Sequence, residues 1–371
     1  AERGAEGPGG FHGRRTRFAP FDETVVKRRI YPIFLPHAGC PFRCIYCNQK
    51  VVVHCEEGED VETSFERQLA AFPERPPDGG PAELAFYGGA FTAIPFDLLG
   101  KMLETAASGV AQGRFQGIRF STRPDCMGPE VCDFLSNYPI RTVELGVQSL
   151  SDEVLAASRR GYDRLIVERA ARAVRERGWE LGVQLMLGLP GDSRERFLES
   201  AARAIALAPA FVRLYPTLVL RGSVLAAIHA RGQYRPLDLE EAVSWCASAY
   251  ESFRRAGIRV IRMGLQSDPE LEKPGAVLAG PHHPAFGHLV RSLWWRLRID
   301  AAIEGLARPK GEDGFLALRF PSRSVSEILG AGRSNIAHWK DRWKLREVLL
   351  EPDSAMPSDL FDARFDHSSS S

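Results

Sequence analysis

The clearest chemical capacity lies in one short run. PHAGCPFRCIYC, Pro36–Cys47, places Cys40, Cys44 and Cys47 in a Cys-x3-Cys-x2-Cys spacing. Thiolates are soft ligands suited to iron–sulfur clusters or zinc. Three thiolates on a four-iron cluster leave one iron open to an outside ligand, as a catalytic zinc keeps one position open. The spacing alone equally allows zinc with Cys55 or His54 as fourth ligand, or an electron-transfer cluster with a fourth protein ligand. The other cysteines (Cys55, Cys126, Cys132 and Cys246) are scattered, and seven is an odd number. That is no disulfide framework; it points to a reducing, cytoplasmic compartment and one metal site. Cys126, Cys132 and Cys246 read as packing residues.

A second string, AFYGGAFT (Ala85–Thr92), ends a strand pattern in Gly88 and Gly89. Glycines at the end of a parallel strand let a ligand approach the backbone. Ligands of parallel α/β folds bind at that end, where the cysteine loop would also lie.

The elements that must position these groups follow from alternating periodicities. Strand patterns cover Arg29–Leu35, Glu83–Tyr87, Gly117–Ser121, Thr142–Val147, Glu180–Leu187 and Phe211–Leu218. Helical patterns fill the gaps, with start signals at Ser151 and at Asp192–Ser193. Six βα units predict an open, partial (β/α)6 TIM-like barrel or a doubly wound sheet. A further helix (Leu239–Ala256) and strand (Arg259–Met263) follow. Pro274, Gly275, Gly280, Pro281 and Pro284 then mark a shift in composition. The expected organisation is a mobile tail (1–26), a core barrel (27–262), a small α+β C-terminal cap (263–350) and a disordered tail (351–371).

The chain of 371 residues is 44% hydrophobic and 26% charged, enough to bury a sizeable core. Its net charge of +1 demands neither a nucleic acid nor an anionic membrane. No run of 18 apolar residues predicts a membrane span. The N-terminal residues lack the apolar region of a secretory signal. Arg is heavily preferred over Lys, and the stretch Arg159–Arg177 is Arg-rich. Such a run is most simply a solvated helix face, with RNA binding as the alternative.

Taken together, these strings resemble the radical S-adenosylmethionine superfamily, in the branch containing the Elongator catalytic subunit and its stand-alone bacterial relatives. The resemblance rests on Cys40-x3-Cys44-x2-Cys47 with Tyr46, then Gly88–Gly89, STRPD (Ser121–Asp125), ELGVQS (Glu144–Ser149), LMLGLPGD (Leu185–Asp192), LYPTLVL (Leu214–Leu220) and RMGLQ (Arg262–Gln266). HHPAFG (His282–Gly287) and GRSNI (Gly332–Ile336) match the C-terminal region of the stand-alone relatives.

The resemblance implies a [4Fe–4S] cluster on Cys40, Cys44 and Cys47 whose fourth iron is chelated by S-adenosylmethionine. Tyr46 would pack near the adenine, and the Gly88, Gly89 and Ala90 backbone would meet the methionine amino group. Ala90 replaces the Glu of many superfamily members, as in the Elongator branch. Arg123 would take the methionine carboxylate with help from Ser121, because a guanidinium binds a carboxylate bidentately. Glu144 and Gln148 would take ribose hydroxyls. Gln184 and Met186 share one face of the fifth strand by period two, with the 186–188 backbone beside the adenine. Arg160–Gly161–Tyr162 stands where the branch often has Arg-Gly-His. No acetyl-CoA-type glycine loop follows Arg262, so acetyl transfer is not expected of these residues. The implied function is generation of a 5′-deoxyadenosyl radical that abstracts hydrogen from a substrate, with tRNA a candidate. The implied partner is a one-electron donor of flavodoxin or ferredoxin type. The alternatives are an oxygen-independent coproporphyrinogen oxidase-like enzyme, whose glycine run is usually longer, and a non-catalytic iron–sulfur or zinc protein that binds RNA. His282 and His283 would then be solvated loop residues or substrate contacts.

Overall fold

The computed structural model describes residues 28–35, 40, 44–48, 59–74, 76, 79–265, 269–306 and 314–367. The expected mobile tail, Cys55 and His54 lie outside them. The described chain divides into two compact units, one ending at Phe286 and one beginning at Gly287.

The first unit is built on strands β1 (Arg29–Phe34), β2 (Ala82–Tyr87), β3 (Gly117–Thr122), β4 (Ile140–Gln148), β5 (Glu180–Leu187), β6 (Phe211–Pro216) and β8 (Arg259–Met263). They form one sheet in the order β1-β2-β3-β4-β5-β6-β8. Every pairing in it is parallel. This is the open, partial barrel expected, with seven strands rather than six: Arg259–Met263 joins the edge beside β6. A short ribbon of β7 (Val219–Leu220) and β9 (Val277–Ala279) lies outside this sheet.

Helices α1 (Val61–Ala70), α2 (Phe96–Ala111), α3 (Pro129–Leu135), α4 (Asp152–Ala157), α5 (Arg164–Glu176), α6 (Arg194–Ala206), α7 (Val224–Ala230) and α8 (Leu239–Arg255) connect the strands, and α9 (Pro269–Glu272) precedes β9. Side-chain caps start several of them: Asp60, Asp163, Ser193 and Ser223 each accept a backbone N–H of the first turn. Asp238 and Glu241 form a reciprocal capping box on α8. Ser151, expected to cap α4, makes no such bond.

Strand residues alternate faces. One face carries Val143, Leu145, Val147, Val183, Leu185 and Leu187, all fully buried, and the apolar stripes of α5, α6 and α8 pack on that side of β4 and β5. The opposite, concave face carries Glu83, Arg119, Thr142, Glu144, Gln184 and Arg213. A polar interior of this kind holds together only if its charges pair.

The second unit contains α10 (Phe286–Ile303), β10 (Gly314–Pro321), α11 (Val325–Leu329), α12 (Ser334–Trp343), β11 (Glu347–Asp353) and β12 (Asp362–His367). Its sheet has the order β11-β10-β12, with β10–β11 parallel and β10–β12 antiparallel. The segment from Glu351 onward, expected to be a disordered tail, therefore finishes one strand and forms another.

Candidate cluster and cofactor site

The cysteine loop, the end of β2 and the segments after β3 and β4 meet at one rim. Cys44 is 8% exposed, and its sulfur accepts hydrogen bonds from Arg160 Nη1 at 3.0 Å and Arg123 Nη1 at 3.4 Å. Cys40 is half-buried; burial pushes its thiol up, against the pull of the Ala90 backbone N–H and of both guanidiniums. Cys47 is half-buried, and its N–H closes a turn onto the Cys44 carbonyl at 3.1 Å. Ile45 anchors the loop: it packs with Val219 and Leu225, and its carbonyl accepts from the Leu225 N–H at 2.7 Å. Tyr46 packs beside this cluster, and its hydroxyl accepts from Arg160 at 3.0 Å. Among the described residues, no three His, Cys, Asp or Glu side chains are grouped as metal ligands. The loop residues 36–39 and 41–43 lie outside the described residues.

Gly88 has φ +133°, and a Cβ there would stand 2.4 Å from the Leu35 carbonyl oxygen. Only glycine lets β2 end this close to β1. The chain then tightens into a 3-10 turn at Phe91–Ala93, with Ala90 buried at its start. Arg123 follows β3 and is 4% exposed. Its Nε and Nη2 hold Asp125 at 2.9 Å each, and Nη2 also donates to the Arg160 carbonyl. Ser121 is half-buried, opposite Glu144 in the β3–β4 register.

The concave face is a network of charges. Glu144 is 0% exposed and accepts from Arg119 at 2.7 Å, Arg213 Nη2 at 3.1 Å, the Tyr87 hydroxyl at 3.0 Å and the Gln184 amide at 3.0 Å. Burial alone would raise its carboxyl; Arg213 and Arg119 outweigh burial and hold it below the usual glutamate value. Deeper in the sheet, Arg28 bridges Glu83 at 2.8 Å and Glu180 at 2.6 Å, and Arg119 also reaches Glu83 at 3.3 Å. Glu144 and Gln184, expected at the cofactor, thus hold each other inside this network. Gln148 differs: at φ +66° on the β4 bulge, its Oε1 is buried without a hydrogen-bond partner. Met186 is half-buried on β5 beside Tyr215 of β6. At the end of β5, Asp192 accepts the Gly188 and Ser193 N–H groups at 3.0 Å each. Burial nevertheless pushes its carboxyl up to about 7.

Arg119, Arg160, Tyr162 and Arg213 were not anticipated. Arg119 and Arg213 leave a legible trace, because each is a lone cation at an alternate position in an apolar strand: GIRFST and FVRLYP. Arg160 is marked only by its place in Arg160–Gly161–Tyr162, a string that assigns it no role; by residue type it sits in an Arg-rich run that reads as solvated surface. His282 and His283, by contrast, are partly exposed residues ahead of α10.

An open parallel barrel with a cysteine loop and a Gly-Gly turn at one rim defines a class. Residues 34–204 match the model of the Radical SAM superfamily, and residues 209–295 match the Radical_SAM C-terminal domain. The chain belongs to the radical SAM superfamily, and its sequence is similar to those of Elongator-type proteins. It is 28% identical over 216 residues to an uncharacterised protein of Methanocaldococcus jannaschii, covering 57% of this chain and 63% of that one. It is 28% identical over 233 residues to the tRNA uridine(34) acetyltransferase of Dehalococcoides mccartyi, covering 53% of this chain and 50% of the relative. The fold is similar to that of archaeal Elp3 from Methanocaldococcus infernus, with TM-score 0.57 and 20% identity over 74% of this chain and 64% of that one. The chain spans less than two thirds of the length of these relatives. Among the described residues, no helix is long and apolar enough to cross a membrane.

Members of this superfamily bind a [4Fe–4S] cluster and S-adenosylmethionine. The residues present fit those groups. Soft sulfur donors stand beside two guanidiniums, the Ala90 N–H already reaches Cys40, and the buried Gln148 Oε1 is an acceptor without a donor.

Proposed function

We propose that this chain is a radical S-adenosylmethionine enzyme whose cluster is held by Cys40, Cys44 and Cys47. The observation that carries the reading is the meeting of Cys44 with Arg123 and Arg160, and of Cys40 with the Ala90 N–H, from separate strand ends at one rim. When bound, the reduced cluster and S-adenosylmethionine would supply a 5′-deoxyadenosyl radical that takes a hydrogen atom from the substrate. The protein's part is to bind, orient and exclude water. The Gly88–Ala90 backbone offers its polar groups to the methionine amino end. Arg123, braced by Asp125, and Ser121 face its carboxylate. Gln148 is the acceptor for a ribose hydroxyl, while Tyr46 and Met186 give the adenine apolar surface. Glu144 supports these strand ends from below through Arg119, Arg213 and Gln184. A flavodoxin or ferredoxin would deliver the electron.

For the substrate we favour tRNA. A relative carries a tRNA-modifying name, and α5 presents Arg169, Arg172 and Arg175 on its exposed side. That spacing suits phosphate contacts.

Anaerobic reconstitution tests the reading. The wild-type chain is expected to load about four irons. Cys40→Ala, Cys44→Ala and Cys47→Ala should each abolish loading, while Cys132→Ala and Cys246→Ala, at buried packing positions, should not. Equal loss with Cys55→Ala would favour a four-cysteine site. A loaded, reduced protein that releases no 5′-deoxyadenosine from S-adenosylmethionine would refute the enzymatic role.

A further inference from the structure

We infer that Arg160 is the hydrogen-bonding counter-ion of Cys44 and raises the reduction potential of the cluster that Cys44 helps to hold; this rests on the cluster reading above. Arg160 is 4% exposed. Its Nη1 lies 3.0 Å from Cys44 Sγ and 3.0 Å from the Tyr46 hydroxyl. Its Nη2 donates to the Gly146 carbonyl and the Tyr162 hydroxyl, and its Nε reaches that hydroxyl at 2.9 Å. Tyr162 completes the clamp: its hydroxyl donates to the Gly146 carbonyl at 2.9 Å, and the guanidinium lies over its ring at 5.0 Å.

Among the described residues of this unit, the other two buried guanidiniums meet carboxylates, and so does the part-buried Arg213: Arg119 has Glu83 and Glu144, Arg213 has Glu144, and Arg123 has Asp125. Among the described residues, the hydrogen-bond partners of the Arg160 guanidinium are a sulfur, two phenols and a carbonyl. A buried cation is tolerated only opposite an anion. The anion that this geometry supplies is the Cys44 sulfur as a cluster ligand. Reduction adds one electron to the cluster. A fixed positive charge and an N–H donor on a ligand sulfur stabilise that added charge more than they stabilise the oxidised state. Arg123 contributes less, because Asp125 cancels its charge and its contact with Cys44 is longer, at 3.4 Å.

The test is a redox titration of reconstituted wild type, Arg160→Gln, Arg160→Lys and Tyr162→Phe. It is followed by electron paramagnetic resonance without S-adenosylmethionine. Iron content and the visible spectrum report loading, and failure of the wild type to load overturns the cluster reading itself. In loaded protein, Arg160→Gln should make the cluster harder to reduce by roughly tenfold in equilibrium constant, about 59 mV lower for one electron. Arg160→Lys keeps the charge and should fall between wild type and Arg160→Gln. Tyr162→Phe frees the guanidinium and should shift the potential less, in the same direction. A loaded Arg160→Gln with the wild-type potential overturns the inference. Should Arg160→Gln fail to load, an unshifted potential in Tyr162→Phe does so.

Discussion

Glu144→Ala takes a fully buried carboxylate away from two guanidiniums, a phenol and an amide, with contacts of 2.7 to 3.1 Å. A hydrogen bond to a charged group contributes about 1.5–3 kcal/mol and a neutral one about 1 kcal/mol. The four do not simply add, because Arg119 retains Glu83 at 3.3 Å. Arg213 is the group stranded, and the expected cost is that of one broken buried ion pair, about 3–5 kcal/mol. Glu144→Gln keeps the volume and the Gln184 contact and should cost less than alanine at neutral pH. The pH dependence has a definite sign. Because the folded carboxyl is held below its ordinary value, its contribution is fully present above the unfolded pKa of about 4.3 and fades as pH falls through the folded pKa. Urea unfolding followed by circular dichroism at neutral pH and at successively lower pH should therefore show the gap between wild type and Glu144→Gln closing in acid. If Glu144→Ala stays within about 1 kcal/mol of wild type while S-adenosylmethionine affinity collapses, Glu144 is a cofactor ligand and the supporting role is wrong.

Asp192 behaves in the opposite sense. Its folded pKa, pushed up to about 7 by burial, lies above the unfolded value, so the folded state binds its proton more tightly. Stability should fall between about pH 4 and pH 7. Asp192→Asn should remove that slope, and parallel wild-type and variant melting curves across this window would refute the shift. Gly88→Ala combines φ +133° with a 2.4 Å approach to the Leu35 carbonyl. It should lower the urea midpoint by the equivalent of about 1–3 kcal/mol; an unchanged midpoint would count against the close meeting of β1 and β2. For RNA, Arg172→Glu with Arg175→Glu should weaken tRNA binding and make its salt dependence shallower by about one log–log unit per lost phosphate contact. Binding that ignores salt would exclude α5 as the contact face.

What could be read from the residues alone was whatever depends on local period and local spacing. The βα alternation was legible because each strand buries a continuous apolar face, and the cysteine loop and Gly88–Gly89 because their chemistry is contiguous. The seventh strand was legible as a strand, but its place was not. Two helices and β7 separate it from β6, and only the pairing with Phe211–Leu214 assigns it to the sheet. β11 and β12 were misread for a different reason. Both are edges around the buried β10, and edge strands are blunted with charge and proline. EVLLEPD and DARFDH therefore look like tail.

Arg160 marks the firmest limit of local reading. It lies 116 residues from Cys44, within a run whose neighbours Arg169, Arg172 and Arg175 are exposed. Its burial depends on Tyr162, the Gly146 carbonyl at the β4 bulge and the returning cysteine loop all arriving together. Glu144 makes the complementary point. A carboxylate at a strand end has the residue type of a ribose ligand, yet two cations, Arg119 of β3 and Arg213 of β6, occupy it from below. Residue type and strand position select candidates for a site; the charge balance of the surrounding shell decides which of them remain available to a ligand. By that criterion Gln148, with an unpartnered acceptor, outranks Glu144 as the ribose contact. Arg160, whose guanidinium has no carboxylate partner among the described residues, becomes the residue best placed to act on the proposed cluster.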